Sequence, residues 1–198
     1  MTAVVFLCPS LALAEARAAL DAHYLPPARQ GDVYRALRDL RPSVIGIVDG
    51  LFHQTPSVWH KEILFAMAQG VTIFGAASMG ALRAAELCAF GMRGVGTIFE
   101  AYRDGVYPPY AAPFERDDEV ALIHGPPETG FAALSDALVD MRATLAEAAE
   151  AGVIDSGLRD ALVARAGAIY YQDRSYDALL EGADGLPEAA IEIGRAHV

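Results

Sequence analysis

The 198-residue chain is 54% hydrophobic and 21% charged, a composition that supports a sizeable buried core and excludes a largely disordered protein. Its formal net charge is −11, and the excess lies in the second half. Residues 1–100 carry eight basic and eight acidic side chains, whereas residues 101–198 carry seven and eighteen. Because an acidic surface repels phosphate backbones, nucleic acid is not an expected partner.

The ends of the chain and its cysteines give further expectations. No apolar run reaches the roughly 18 residues of a membrane span, and MTAVVFLCPS lacks the basic start of a signal peptide. Cys8 and Cys88 are too few for a disulfide framework and have no metal-ligand partners at suitable spacing. We therefore expect a cytoplasmic protein with no membrane contact, no bound metal and no cofactor.

Three short apolar runs rich in β-branched residues predict buried parallel strands at 3–8, 44–48 and 71–76. A fourth strand is expected at 119–124. The acidic run just before it, residues 117–119, is typical of a solvated turn and less so of a metal site, because no histidine stands at ligand spacing.

Helical patterns alternate with these strands. They cover 31–40, 56–70 and 79–91, the second with Thr55 as N-cap, Pro56 in its first turn and Gly70 as C-cap. Residues from about 130 onward are alanine-rich and helical, with a break at 152–156. The pattern predicts an α/β fold with an open, mainly parallel sheet of the Rossmann-like type. We expect a core domain at 1–128 and a helical, acidic extension at 129–198.

Polar residues follow each of the three predicted strands. Ser10 follows the first, Asp49 the second and Ser78 the third. Because the carboxyl ends of parallel strands meet at one edge of a sheet, we expect these three side chains to gather there.

Ser78 follows a strand and precedes a helix, as the serine of a nucleophile elbow does, although Ala76 stands where that pattern has glycine. Small neighbours such as Gly75 and Gly80 permit a tight turn and close approach of a substrate. The alternative is that Ser78 only caps the helix. Ala81 excludes a capping box, and the pattern leaves nucleophile and cap equally open.

Lys61 is the only lysine in the chain, and His60 precedes it near the start of a predicted helix. Either side chain is expected within reach of Ser78, giving a Ser–Lys or Ser–His pair. The alternatives are a solvated lysine and a core histidine. Asp49 could orient such a base or simply begin an Asp-Gly turn. Arg83 and Glu86, three residues apart on a helix, could pair with each other.

Several stretches together resemble the TfuA-like family. They are FLCPSL (6–11), IGIVDGLF (45–52), HKEILFAMAQGVTIFGAASMGALRAAEL (60–87), GMRGVGTIFEAYRDG (91–105) and DDEVALIHGP (117–126). The order is that of the family, and the resemblance covers roughly residues 3–130. One departure is Cys8, where glycine is expected before Pro-Ser.

The resemblance implies an accessory role beside YcaO proteins, ATP-dependent enzymes that modify peptide amide bonds. Its expected outcome is backbone thioamidation of a ribosomal peptide or a protein. The expected partners are a YcaO protein, a thiocarboxylated ThiS-type sulfur carrier and a precursor peptide. Two roles follow from the resemblance: hydrolysis of the carrier to supply sulfide, or non-catalytic docking and allosteric activation of YcaO.

By the same resemblance, a hydrolytic site would lie in the HKE and SMGALRAAEL motifs. We expect Ser78 as nucleophile, Lys61 or His60 as the group that moves the proton, and Asp49 in support. Substrate contacts are expected from the following residues: Ser10, Gly75, Met79, Gly80, Arg83 and Glu86.

Overall fold

The computed structural model describes residues 2–52 and 55–181. Their contacts define two compact units, Met1–Asp117 with His124–Ala133, and Asp118–Ile123 with Leu134–Val198. The first unit contains the sheet and the second is helical. Residue 128, after which we expect the domain boundary, lies in the segment His124–Ala133 of the first unit, and that boundary stays a prediction.

Five parallel strands form one sheet in the first unit, in the order β2-β1-β3-β4-β5. The element bounds are β1 Ala3–Phe6, α1 Leu13–Ala19, β2 His23–Leu25, α2 Asp32–Leu40, β3 Val44–Ile47, α3 His60–Ala68, β4 Thr72–Ala76, α4 Ala77–Leu87, β5 Arg93–Val95 and α5 Thr97–Asp104. The strand–helix alternation confirms the predicted open parallel α/β sheet.

In-register rows of apolar side chains form the centre of the sheet. Val4 pairs with Ile45, which pairs with Ile73, and all three side chains are fully buried. Each such side chain contributes about 1.5–3 kcal/mol through removal from water. The three predicted apolar runs are therefore confirmed as β1, β3 and β4.

The expected strand at 119–124 is wrong. Residues 117–119 form a 3-10 turn, and 118–123 belong to the second unit, where Ile123 N donates to Ser135 Oγ over 2.9 Å. Val120, Ala121 and Leu122 in this segment are buried without forming a strand. The solvated-turn reading is also wrong for Glu119, which is completely buried.

The predicted start of the second helix is likewise wrong, because α3 begins at His60 rather than near Pro56. The preceding residues connect neighbouring segments instead. Pro56 O accepts from Gln30 N at 2.9 Å, and Val58 O accepts from Arg83 Nε at 3.0 Å. The end of the helix agrees with expectation: Gly70, just past the C-cap Gln69, has a φ of +85°.

Glu62 holds the starts of two helices. Its Oε1 accepts from the backbone N–H of Gly31 and Trp59, each at 2.9 Å. Its Oε2 accepts from Val33 at 3.0 Å and Tyr34 at 3.3 Å. One nearly buried carboxylate thus satisfies orphan donors at the N-termini of α2 and α3, where negative charge is also favoured by the helix dipoles.

The second unit contains α6 Leu138–Glu150, α7 Ser156–Ala168 and α8 Tyr176–Leu180. The break between α6 and α7 agrees with the predicted one, with Gly152 at a φ of +72° and Asp155 capping α7. Buried Arg142 binds buried Glu119 through two hydrogen bonds of 2.8 and 2.9 Å. Arg174 is also fully buried and donates to Asp118 Oδ2 over 2.9 Å.

We expect Glu62→Gln to lower the free energy of unfolding by about 2–3 kcal/mol, because an amide offers one acceptor oxygen and no charge to four N–H donors. Urea denaturation measures the change. Glu15→Gln, in the first turn of exposed α1, is the matched control and should change stability little. Equal effects of the two substitutions would contradict the role given to Glu62.

Arg142→Met should cost about 3–5 kcal/mol of unfolding free energy, because it leaves the Glu119 carboxylate buried without its partner. The double variant Glu119→Met with Arg142→Met should recover much of this loss. Arg103→Met, which removes an exposed pair with Asp104, should have little effect. Thermal and urea unfolding of the single and double variants measure these changes. A double variant no more stable than Arg142→Met alone would contradict the buried-charge explanation.

Candidate functional site

The strand order defines the edge where a ligand is expected. The chain passes from β1 outward to β2, then returns to β3 on the other side of β1. In open α/β sheets, ligands bind beyond the carboxyl ends of the strands at such a point of reversal. Ser10 follows β1 and Asp49 follows β3, so both predicted site residues flank this point.

Asp49 ties the loop after β1 to the end of β3. Its Oδ2 accepts from Cys8 N at 2.8 Å and from Ser10 N at 3.2 Å, and its Oδ1 accepts from Ser10 Oγ at 2.5 Å. The side chain is fully buried, and this burial raises its pKa, against the lowering effect of the three hydrogen bonds. Asp49 and Ser10 thus come together as expected.

Cys8 occupies a backbone conformation that favours glycine, with a φ of +109°. Non-glycine residues in such sparsely populated regions carry about 1–3 kcal/mol of strain. Burial, together with the charge of Asp49, raises the pKa of the Cys8 thiol, so the thiol stays protonated near neutral pH and is a poor nucleophile. The positive φ at this position therefore explains why the family resemblance leads us to expect glycine there.

The junction between β4 and α4 turns sharply at Ala77 and Ser78. Ala77 has a φ of +52°, and Ser78 has a non-helical ψ of −123° before the regular turns of α4 begin. The N-cap position belongs to Ala76, and the ψ of Ser78 lies outside the extended region typical of N-cap residues. This geometry favours an elbow-like turn over a simple helix cap.

Gly75, Met79 and Gly80 pack the start of α4 against the sheet. A Cβ on Gly80 would lie 1.8 Å from Ile47 O, and one on Gly75 would lie 2.1 Å from Gly80 O. Met79 is 1% exposed and fills the space beside Gly50. Packing accounts for the two glycines and for Met79, and the expected substrate contacts of all three stay a prediction.

His60, Arg83 and Glu86 form a cluster of their own. Glu86 Oε2 lies 2.7 Å from both His60 Nε2 and Arg83 NH1, which confirms the Arg83–Glu86 pair. Arg83 also donates to Ser57 Oγ at 3.1 Å and so fixes the segment before α3. Glu86 lies eight residues after Ser78, about 12 Å along the helix axis, so His60 is directed away from Ser78.

Lys61 is exposed at the second position of α3 and forms no ion pair with any residue in 2–52 or 55–181. The structure therefore gives no contact that joins Lys61 to Ser78, and their pairing stays a prediction.

Two further features were missed by sequence reasoning. The capping of α3 by Glu62 has a sequence signal, because glutamate is favoured at the third helical position. Its bonds to α2 have none, because they join residues about thirty positions apart. His124 is nearly buried, and its Nε2 has no hydrogen-bond partner within the described part of the chain. Burial lowers the His124 pKa, which keeps the imidazole neutral.

The part of the chain that the structure describes has neither a metal-binding cluster nor a membrane-spanning helix. In 2–52 and 55–181, no group of three or more His, Cys, Asp or Glu side chains could hold a metal ion. Over the same residues, no helix is long and apolar enough to cross a membrane.

The fold and the elbow-like turn define an α/β protein with its candidate site at the carboxyl edge of a parallel sheet. The family model described as TfuA-like protein matches residues 49–175, which is 127 of the 198 residues. The chain therefore belongs to the TfuA-like family, and this membership is consistent with an accessory role beside YcaO-type proteins. A comparison with curated proteins gives no match.

We expect Cys8→Gly to raise the free energy of unfolding by about 1 kcal/mol, because relief of the backbone strain exceeds the entropic cost of glycine. Cys8→Ala is the matched control, since it removes the thiol but keeps the Cβ at the same φ. Chemical denaturation compares the three proteins. A Cys8→Gly variant no more stable than Cys8→Ala would show that the backbone there is not strained.

Proposed function

We propose that the chain is an accessory protein for YcaO-dependent backbone thioamidation, and that it hydrolyses a thiocarboxylated ubiquitin-like sulfur carrier to supply sulfide. The observation that supports this most is the β4–α4 junction. There Ser78, which is 9% exposed, lies at the carboxyl edge of the sheet, after Ala77 with its positive φ and before the regular turns of α4. Family membership supports the YcaO-related part of the proposal.

The proposed reaction balances with water alone. Ser78 Oγ attacks the carbonyl carbon of the thiocarboxylate, the carbon–sulfur bond breaks, and hydrosulfide leaves with the serine proton. Water then attacks the acyl-serine ester, which releases the carrier carboxylate together with one proton to solvent and restores the serine hydroxyl. Because the departing sulfur takes the serine proton, the first step needs no net proton acceptor from the protein.

The first turn of α4 would stabilise the oxyanion of each tetrahedral intermediate. In an elbow, the N–H of the residue after the nucleophile points at this oxygen, and here that residue is Met79. The next N–H, from Gly80, is bound to Val48 O at 3.3 Å, so it holds the turn in place. The positive end of the helix dipole adds to the stabilisation.

Other predicted residues take supporting roles in this proposal. Asp49 keeps the loop that bears Ser10 beside the end of β3, which leaves the Ser10 side chain at the rim of the site. Lys61 supplies an exposed, flexible ammonium that can attract the anionic thiocarboxylate or move a proton during deacylation. His60 and Arg83 both bind Glu86, and Arg83 also holds the segment just before α3.

A second role, docking on YcaO and activating it without hydrolysis, is favoured by a group of exposed aromatic residues. Trp59 is 53%, Tyr34 49% and Phe65 45% exposed, and the rings of Tyr34 and Phe65 lie 5.8 Å apart. Glu62 binds the backbone of both Trp59 and Tyr34, so this group is held firmly. Tryptophan and tyrosine are common anchors of protein interfaces.

The decisive experiment follows sulfide release from a thiocarboxylated ThiS-type carrier mixed with the purified protein. Ser78→Ala should reduce the rate at least about a hundredfold, because the covalent step is lost. Ser43→Ala is the matched control, since Ser43 lies just before β3 at the opposite edge of the sheet, and it should keep the wild-type rate. Lys61→Ala should slow release if the ammonium participates.

Undiminished release by Ser78→Ala would refute the covalent route. No release by the wild type, even with its YcaO partner present, would refute the hydrolase as a whole. In that case, loss of YcaO binding in Trp59→Ala with retention in Ser43→Ala would support the docking role.

A further inference from the structure

An open cavity of about 540 Å³ lies in the first unit beside the edge described above. Its apolar surface comes from the ends of β1 and β2, from α2, and from two later segments: Phe6, Leu25, Ala36, Leu51, Pro127 and Phe131. This volume is typical of a site for a small molecule or a few residues of a peptide. Ser78 and Asp49 do not line it.

One wall of the cavity is a continuous stripe of α2. Asp32, Arg35, Ala36, Asp39 and Leu40 all line it, and their spacing of three and four residues places them on one helix face. From the first to the last of these residues the stripe extends about 12 Å at the helical rise. A ligand along this wall therefore meets apolar and charged groups in one line.

One cationic side chain at the cavity, that of Arg29, is only weakly ion-paired. Asp32 is bound to the guanidinium of Arg35, and Asp39 to that of Arg38. Arg29 also lines the cavity, and among the residues that the structure describes its one ionic contact is a 3.5 Å approach of Nε to Asp32. Its side chain is 58% exposed, so its other N–H donors face solvent and are available to a ligand.

We propose that this cavity binds an apolar group that carries a carboxylate, with the apolar part between α2 and Phe131 and the carboxylate on Arg29. A planar guanidinium matches a carboxylate with two parallel hydrogen bonds. The lining holds Arg29 and Arg35 against Asp32 and Asp39, and because Arg38 outside the lining binds Asp39, one positive charge is left over. The same chemistry occurs at the carboxyl end of a peptide and in a free aryl-alkanoic acid. The site goes beyond the proposed hydrolysis and does not depend on it.

Isothermal titration of the full-length protein with 4-phenylbutyrate tests the proposal. We expect saturable 1:1 binding in the millimolar range or tighter. Arg29→Gln should weaken it at least about fivefold, since an exposed ionic hydrogen bond is lost. Ala36→Leu should weaken it by filling the cavity. If Ala36→Leu does not fold, Arg29→Gln alone decides, because that position is exposed.

Three controls make the result specific. Arg17→Gln, on α1 and outside the cavity, and Ser78→Ala should both bind as the wild type does. The neutral 4-phenylbutyramide should bind much more weakly than the acid. A short peptide ending in Phe with a free carboxyl group, compared with its amide, then distinguishes a peptide terminus from a free acid as the better ligand.

The proposal is overturned if the wild type shows no saturable binding of the acid at 25 °C, if the amide binds as well as the acid, or if Arg29→Gln and Ala36→Leu both leave binding unchanged. Because Ser78→Ala is expected to bind normally, failure here leaves the hydrolase proposal standing. Loss of hydrolase activity likewise leaves this site standing.

Discussion

The close approach of α4 to the carboxyl ends of β3 and β4 is the constraint on which the candidate site depends. Even a Cβ at Gly80 would lie 1.8 Å from the carbonyl oxygen of Ile47, so only glycine permits the contact. With the helix this close, the chain must leave β4 through a tight turn, and Ala77 takes a positive φ to make it. The position of Ser78 at the edge follows from backbone packing.

Two buried carboxylates hold the loops around this turn. Asp49 binds the loop after β1, and Glu62 binds the starts of α2 and α3. Each accepts from backbone N–H groups that have no partner within their own elements, and so each replaces solvent with a fixed acceptor. These hydrogen bonds tie the loops at this edge to one another, an arrangement that suits both an enzyme and a docking protein.

The main strands and the carboxyl edge of the sheet could be predicted from the sequence, because buried parallel strands are continuous apolar runs. Strands β2 and β5 have three residues each and sit at the ends of the sheet, too short for a periodic signal. The fixed loops could not be predicted in the same way. The bond of Asp49 to Ser10 spans 39 residues, and that of Arg174 to Asp118 spans 56. Such pairs depend on how distant segments meet, which local patterns do not encode.

We propose that the elbow-like turn makes Ser78 a nucleophile, and covalent labelling tests this role most directly. The purified protein, alone and with its YcaO partner, would be treated with a fluorophosphonate probe and mapped by mass spectrometry, with an active serine hydrolase as positive control. We expect an adduct on Ser78 and none on Ser10 or Ser43. No adduct on Ser78 in either state, with the control enzyme fully labelled, would contradict it.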